Sequence, residues 1–310
     1  MTIIVAGATG LAGSAITKAF QAKGQEVIGI NRSVVDLMDA KSTEDLISQV
    51  RPSLIVDAAA KVGGIGANNF YPVEFLSDNI IIQSNLMRAA HRADVPNFIF
   101  LGSSCIYPRD CDQPIKEEYL MTGPLEATNS AYAVAKIAGI EMINSYRKQY
   151  GTNWISLMPT NLYGPQDNFN LTTSHVLPAF IRRFVEAAEN MTDKVTLWGS
   201  GTPLREFLHV DDLAQAVILA SERYDSSLHL NVGTGEDLSI KELSQKVANA
   251  AGYTGDIDWD STKPDGTPRK VLDVSRIKAL GWKPTITLEE GIASTIAWYK
   301  EANSRGVVRK

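Results

Sequence analysis

The segment Ile3-Ile4-Val5-Ala6-Gly7-Ala8-Thr9-Gly10-Leu11-Ala12-Gly13 constrains this chain more than any other. An apolar run leads directly into glycines at a spacing of three and three, and an amphipathic stretch through Phe20 follows. A strand, a glycine loop and a helix in that order make a tight turn, admit a pyrophosphate to the backbone and pack helix close to strand. The helix N-terminus then offers N–H groups and the positive end of its dipole to phosphate oxygens. Gly7, Thr9, Gly10, Leu11 and Gly13 are therefore expected to hold a dinucleotide. An acid closing the second strand would bind the 2′-hydroxyl of NAD, whereas arginine accommodates a 2′-phosphate. Here Val27–Ile30 ends in Asn31-Arg32-Ser33, with no acid before Asp36, so Arg32 points to NADP(H).

The first half repeats this rhythm. Val27–Ile30, Leu54–Ala58, Phe98–Leu101 and Trp154–Leu157 read as further buried strands, separated by helical stretches at Thr43–Gln49, Ile80–Arg92 and Tyr132–Tyr150. Strands alternating with helices specify a parallel sheet covered on both faces, and right-handed crossovers make it a doubly wound, Rossmann-type α/β fold. After Pro159 the pattern changes, with helices expected near Leu177–Ala188 and Asp211–Ser221. The tail from Ser239 holds two more helices and a loop at Lys263–Pro268. The expected division is an NADP-binding domain over residues 1–163, to which 206–232 returns, and a smaller, interleaved α+β substrate lobe over 164–310.

Of 310 residues, 44% are hydrophobic and 21% charged, which excludes disorder and collagen-like repeats. No apolar run approaches the roughly 18 residues of a membrane helix, and no basic leader precedes Ile3, so neither a membrane span nor a signal peptide is expected. The two cysteines, Cys105 and Cys111, are too few for a metal cage or to imply an oxidising compartment, which leaves a cytoplasmic enzyme without metal as the expectation. The net charge of −5 argues against a nucleic-acid partner.

Tyr132-Ala133-Val134-Ala135-Lys136 puts a phenol and an ammonium at i and i+4 on one helical face. The ammonium is expected to lower the phenol's pKa and make it a proton donor near neutrality. Gly102-Ser103-Ser104 follows the fourth strand, where Ser103 can bond the same substrate oxygen that Tyr132 protonates. Cys105 stands two residues on, and alternation along an extended chain would point it to the same side as Ser103. Its thiol becomes a competent base when a cation or dipole lowers its pKa. Arg183 and Arg205 are candidates for a diphosphate, which arginine binds bidentately. Trp198 either stacks on a base or sugar or fills the core of the smaller lobe.

Throughout its length the chain resembles the extended short-chain dehydrogenase/reductase superfamily, and four stretches look like its GDP-L-fucose synthase family. They are Ala58-Ala59-Ala60-Lys61-Val62-Gly63-Gly64-Ile65, Leu101-Gly102-Ser103-Ser104-Cys105-Ile106-Tyr107-Pro108, Met158–Pro165 and Trp198–Asp212. The resemblance implies 3,5-epimerisation and NADPH-dependent 4-reduction of GDP-4-keto-6-deoxy-D-mannose to GDP-L-fucose, by a homodimer. It implies Cys105 as base, His175 as acid, Tyr132 as proton donor to C4, Ser103 as the residue orienting that oxygen, and Lys136 on the nicotinamide ribose. Leu101, Gly102, Pro159, Asn161 and Leu162, together with Ser103, Tyr132, Lys136 and His175, are implied as cofactor contacts, and Asp265 and Lys270 as substrate-lobe positions. Some members carry a basic residue in the glycine loop; the neutral Ala8-Thr9 here leaves more of the 2′-phosphate contact to Arg32. The alternatives are another sugar-nucleotide epimerase or reductase of the superfamily and a non-catalytic NADP-sensing module.

Overall fold

The computed structural model describes residues 2–263 and 265–309, so Pro264 of the expected Lys263–Pro268 loop lies outside the described residues. Its first half runs β1 (Thr2–Ala6), α1 (Leu11–Ala22), β2 (Glu26–Ile30), α2 (Ala40–Val50), β3 (Leu54–Asp57), α3 (Ile65–Phe70), α4 (Pro72–Arg92), β4 (Asn97–Leu101), α5 (Ser130–Tyr150) and β5 (Ile155–Pro159). The helix expected from Ile80 begins eight residues earlier, at Pro72. Proline has its φ preset for the first helical position and lacks an N–H that would go unbonded there, and Glu74 in the first turn suits the helix dipole. The short α3 has no counterpart in the sequence reading.

The second half continues with β6 (Asn161–Tyr163), α6 (Val176–Glu189), β7 (Lys194–Trp198), β8 (Leu204–Arg205), β9 (Phe207–His209), α7 (Val210–Arg223) and β10 (Leu230–Val232). After these come β11 (Leu238–Ser239), α8 (Ile240–Ala251), β12 (Asp256–Asp260), β13 (Arg269–Lys270), α9 (Ser275–Ala279) and α10 (Leu288–Ser304). The tail thus holds three described helices rather than the two expected; α9 is only five residues long, too short for a periodic pattern.

Six parallel strands form one sheet in the order β10-β5-β4-β3-β1-β2. Residues Ile3–Ala6 and Leu54–Asp57 are buried without interruption, as a parallel sheet covered on both faces requires. α1 packs on α7, and α4 lies between α2 and α5. The chain leaves β1 for one edge and returns past it to β3, so the strand order reverses beside β1. In doubly wound folds ligands bind in the crevice at that reversal, outside the carboxyl ends of the strands. This is the Rossmann-type arrangement expected from the sequence.

A second core gathers Phe169, Phe180, Phe184, Leu243, Val247, Ile292 and Tyr299. There α6 packs on α8 and α10, and β7 pairs with β12. The lobes interleave: Leu272, Val274, Ile277 and Trp282 belong to the core around the large sheet. Between the two cores, β8 lies between β11 and β13, and β6 pairs with β9. These short ladders carry the second half's polar residues to the carboxyl ends of β4 and β5.

Candidate active site

Gly7 leaves β1 with φ +76°, and a Cβ on it would stand 2.7 Å from the Ala58 carbonyl oxygen. At Gly13 a Cβ would meet the Gly7 oxygen at 2.2 Å. The loop can close and α1 can approach the strand only because both positions lack side chains. Gly10 donates its N–H to the Gly7 oxygen at 2.9 Å and stands at the N-cap of α1, where no side chain caps the helix. The Gly7 and Ala8 N–H groups donate to the Ile30 carbonyl, so the donors left to offer a pyrophosphate are those of the uncapped first turn of α1. Arg32 is exposed just beyond β2, beside an Asn31 side chain that accepts from the Ser33 N–H at 2.8 Å.

At the end of β4, Ser103 has an extended backbone and its Oγ accepts from the Cys105 N–H at 3.2 Å. The chain then winds into a 3₁₀ turn over Ser104–Ile106, so the expected alternation along an extended segment does not operate here; a turn brings Cys105 and Ser103 together. Tyr132 and Lys136 lie one above the other in the first turns of α5. Lys136 Nζ donates to the Leu101 carbonyl at 2.9 Å and sits 4.7 Å from the Phe100 ring centre and 5.8 Å from that of Tyr132. Burial brings the Lys136 pKa down to about 8, opposed by the nearby Asp57 carboxylate. Asp57, at the end of β3, has the reciprocal shift: burial raises it to about 6, against the pull of Lys136. Sequence reading missed Asp57, which is indistinguishable in one dimension from a polar residue ending a strand.

The expected lowering of the Tyr132 pKa does not occur. Burial and the neighbouring Cys105 charge push the phenol above its ordinary value, with only the Ser103 hydroxyl working the other way. At neutral pH the phenol keeps its proton. A protonated phenol can give up a proton but cannot act as a base.

Cys105 meets a cation from the second half of the chain: Lys270 Nζ donates to its Sγ at 3.3 Å. Burial pushes this thiol up, but the Lys270 ammonium, the Ser103 hydroxyl and the Arg205 guanidinium outweigh it and leave it below its ordinary 9.0. The β8–β13 ladder explains the arrival of two cations together, because Lys270 is the register partner of Arg205. His175 occupies the N-cap position of α6 without capping it. The residue is exposed, yet the protein around its ring and the Lys270 charge hold its pKa below 6.5.

The segment preceding His175 rests on the loop after β3. Gly64 donates to the Thr173 carbonyl at 2.9 Å, and a Cβ on Gly64 would lie 2.4 Å from the Ser174 oxygen. The Val62-Gly63-Gly64 stretch is therefore a bed for the His175 segment. The other expected residues divide between the strand ends of the large sheet and the smaller lobe. Gly102 donates to the Leu157 carbonyl at 2.8 Å, Pro159 ends β5, and Leu162 sits in β6. Asn161 Nδ2 donates to the Glu206 carbonyl at 2.8 Å. Arg183 is held at β7, with Nη1 bonding the Thr196 carbonyl at 3.5 Å. Trp198 is 64% exposed, which removes core filling as its role. Asp265 accepts from the Ser200 N–H at 2.7 Å and the Ser200 hydroxyl at 2.8 Å, fixing the turn after Trp198.

A phosphate cradle beside a Ser/Tyr/Lys group is the arrangement of a nicotinamide-dependent oxidoreductase, and residues 3–233 match the model of the NAD dependent epimerase/dehydratase family. The chain belongs to that family. Within it, the sequence is 49% identical to the GDP-L-fucose synthase of Escherichia coli K12, over 98% of both chains. It is 50% identical to the putative GDP-L-fucose synthase 2 of Arabidopsis thaliana, over 96% of this chain and 92% of the relative. Among solved structures of the epimerase/dehydratase fold, a GDP-L-fucose synthetase from Naegleria fowleri bound to NADP superposes with a TM-score of 0.91 at 29% identity, covering 100% of this chain and 96% of that one.

Proposed function

We propose that this chain is a bifunctional enzyme that epimerises GDP-4-keto-6-deoxy-D-mannose at C3 and C5 and reduces C4 with NADPH, giving GDP-L-fucose. One observation carries the reading. A thiol in contact with an ammonium, Cys105 with Lys270, stands beside Ser103, Tyr132 and Lys136. A reductase needs only the second group. An epimerase that works through an enolate needs a base such as the first.

The cradle of Gly7, Thr9, Gly10, Leu11 and Gly13, with its uncapped helix end and space that no Cβ could share, fits a dinucleotide pyrophosphate. Arg32 provides the cation for a 2′-phosphate, and Leu101, Gly102, Pro159, Asn161, Leu162 and His175 border the nicotinamide end. When bound, NADP(H) supplies the hydride that reduces C4.

The C4 carbonyl acidifies the protons on C3 and C5. Cys105, whose thiolate Lys270 and Arg205 favour, takes one of these protons and leaves an enolate. His175 as imidazolium returns a proton to the opposite face and inverts that carbon; solvent then takes the proton from the Cys105 thiol and reprotonates His175, and the same pair treats the second carbon. Ser103 and Tyr132 hold the C4 oxygen throughout, and Tyr132 gives it a proton as it becomes an alkoxide. Lys136, whose Nζ lies 5.8 Å from the centre of the Tyr132 ring, orients the cofactor ribose. Arg183, Arg205, Trp198, Asp265 and Lys270 form the GDP side, with Arg205 and Lys270 reaching into the cleft.

We also propose the division into a nucleotide domain over 1–163 with 206–232 returning, supported by β10 pairing with β5, and a substrate lobe over 164–310. A cytoplasmic homodimer completes the reading. Val73 and Ile81, exposed eight residues apart on α4, support a covered helical face, and none of the described helices is long and apolar enough to cross a membrane. Mixing the purified protein with GDP-4-keto-6-deoxy-D-mannose and NADPH tests the function. Loss of cofactor absorbance together with the NMR spectrum of GDP-L-fucose is expected. Oxidation yielding a product with unchanged C3 and C5 configuration would leave a simple 4-reductase.

A further inference from the structure

Glu206 is fully buried between Arg205 and Phe207, and no step of the chemistry above uses it. Its carboxylate is nevertheless the meeting point of three chain segments. Oε1 accepts from the Gly235 N–H at 2.7 Å and the Thr234 hydroxyl at 3.3 Å, and Oε2 accepts from the Leu272 N–H at 2.9 Å. Gly233 closes the socket: a Cβ there would lie 2.2 Å from Oε1. The Glu206 carbonyl in turn receives Asn161 Nδ2 at 2.8 Å and the Thr160 hydroxyl at 3.4 Å. A buried carboxylate is tolerated only when its oxygens are bonded in this way.

Leu272 is two residues beyond Lys270, and Arg205 is the residue before Glu206. One side chain therefore clips the strand bearing Lys270 to the strand bearing Arg205, at the register that pairs those two cations. On the other side the Lys270 strand is tied to the Cys105 loop, by Val271 N–H to Gln113 Oε1 at 3.0 Å and Ile115 N–H to the Val271 carbonyl at 2.8 Å. We infer that Glu206 is a positioning residue for the epimerisation base, acting through Lys270: its clip holds the ammonium against the Cys105 sulfur.

The inference rests on the proposed role of Cys105, but its test reads the thiol and not the sugar. Glu206→Gln keeps shape and offers one acceptor oxygen where two were used, so an amide NH₂ faces either the Leu272 or the Gly235 N–H. The rate of iodoacetamide alkylation at Cys105, followed against pH by peptide mass spectrometry, gives the thiol midpoint. Letting the ammonium drift from 3.3 Å to about 6 Å roughly halves its Coulomb interaction with the sulfur. The midpoint of Glu206→Gln should then rise by about half the shift that Lys270→Met produces.

In the Lys270→Met background, Glu206→Gln should add nothing, because the two changes act through one contact. A merely structural carboxylate would not show that cancellation. An unchanged midpoint in Glu206→Gln, or equal shifts with and without Lys270, overturns the inference. If Glu206→Gln does not fold, Glu206→Asp, which keeps both oxygens and the charge, is read by the same two criteria. Deuterium exchange at the sugar's C3 and C5 by the wild type separates the two claims, since its absence refutes the base role of Cys105 and leaves the clip to the thiol titration.

Discussion

Replacing Lys270 with methionine tests the electrostatic core of the site, because Met keeps most of the apolar stem and removes only the charge. At 3.3 Å, opposite unit charges attract by about 5 kcal/mol at an effective dielectric of about 20, and by about 1.3 kcal/mol in water. Lys270 is only half-buried, and Arg205 remains near Cys105, so the lower part of that range applies. The thiol midpoint should rise by about one to two pH units, and the thiolate fraction at neutral pH should fall about ten- to a hundred-fold. The sign follows from the charge: removing a cation destabilises the thiolate, so the acid limb of C3/C5 exchange moves to higher pH. Two assays read this separately. Alkylation kinetics report Cys105 directly, with Cys111 resolved by mass, and deuterium incorporation into the substrate in the absence of NADPH reports the base at work. Exchange that slows at pH 7 and recovers at high pH is the expected outcome. A Cys105 midpoint indistinguishable from wild type would refute the reasoning, and exchange lost equally at all pH values would assign Lys270 to substrate binding alone.

Tyr132→Phe should lower reduction by about 10²- to 10⁴-fold while C3/C5 exchange continues, since only the C4 oxygen needs that proton; undiminished NADPH oxidation would remove Tyr132 from its role. Gly64→Ala drives a Cβ to 2.4 Å from the Ser174 oxygen and must displace the segment leading to His175. Exchange should fall about ten- to a hundred-fold with NADPH affinity retained, measured by fluorescence titration, and equal losses in both would show a general disruption instead. Arg32→Ala should weaken NADPH about tenfold and leave NADH unchanged, the low end for a charge-assisted hydrogen bond at an exposed position. Parallel losses for both cofactors would move the 2′-phosphate contact elsewhere.

The parts of this molecule readable in sequence are those whose physics is local. Glycines at three and three after an apolar run leave one economical conformation, and the φ of +76° at Gly7 together with the 2.2 Å approach at Gly13 shows why. The i, i+4 pair of Tyr132 and Lys136 is set by helix geometry alone. Two- and three-residue strands such as β6, β8, β9 and β13 escape detection because no periodicity develops over so short a length. The direction of the Tyr132 shift is not legible from spacing, because it depends on burial and on Cys105. Spacing from Ser103 singles out Cys105, yet the contact that changes its chemistry comes from Lys270, 165 positions away. Glu206 was invisible for the same reason, since its partners sit at 234–235 and 272.

The most direct test is one reaction in D₂O with GDP-4-keto-6-deoxy-D-mannose and unlabelled NADPH, followed by NMR of the isolated sugar nucleotide. Two chemistries in one cleft predict GDP-L-fucose carrying deuterium at C3 and C5, placed there by solvent-exchanged acid and base groups, and protium at C4 from the cofactor. A reduced product retaining protium and the original configuration at C3 and C5 would contradict the central claim and leave Cys105 and His175 without the roles proposed for them.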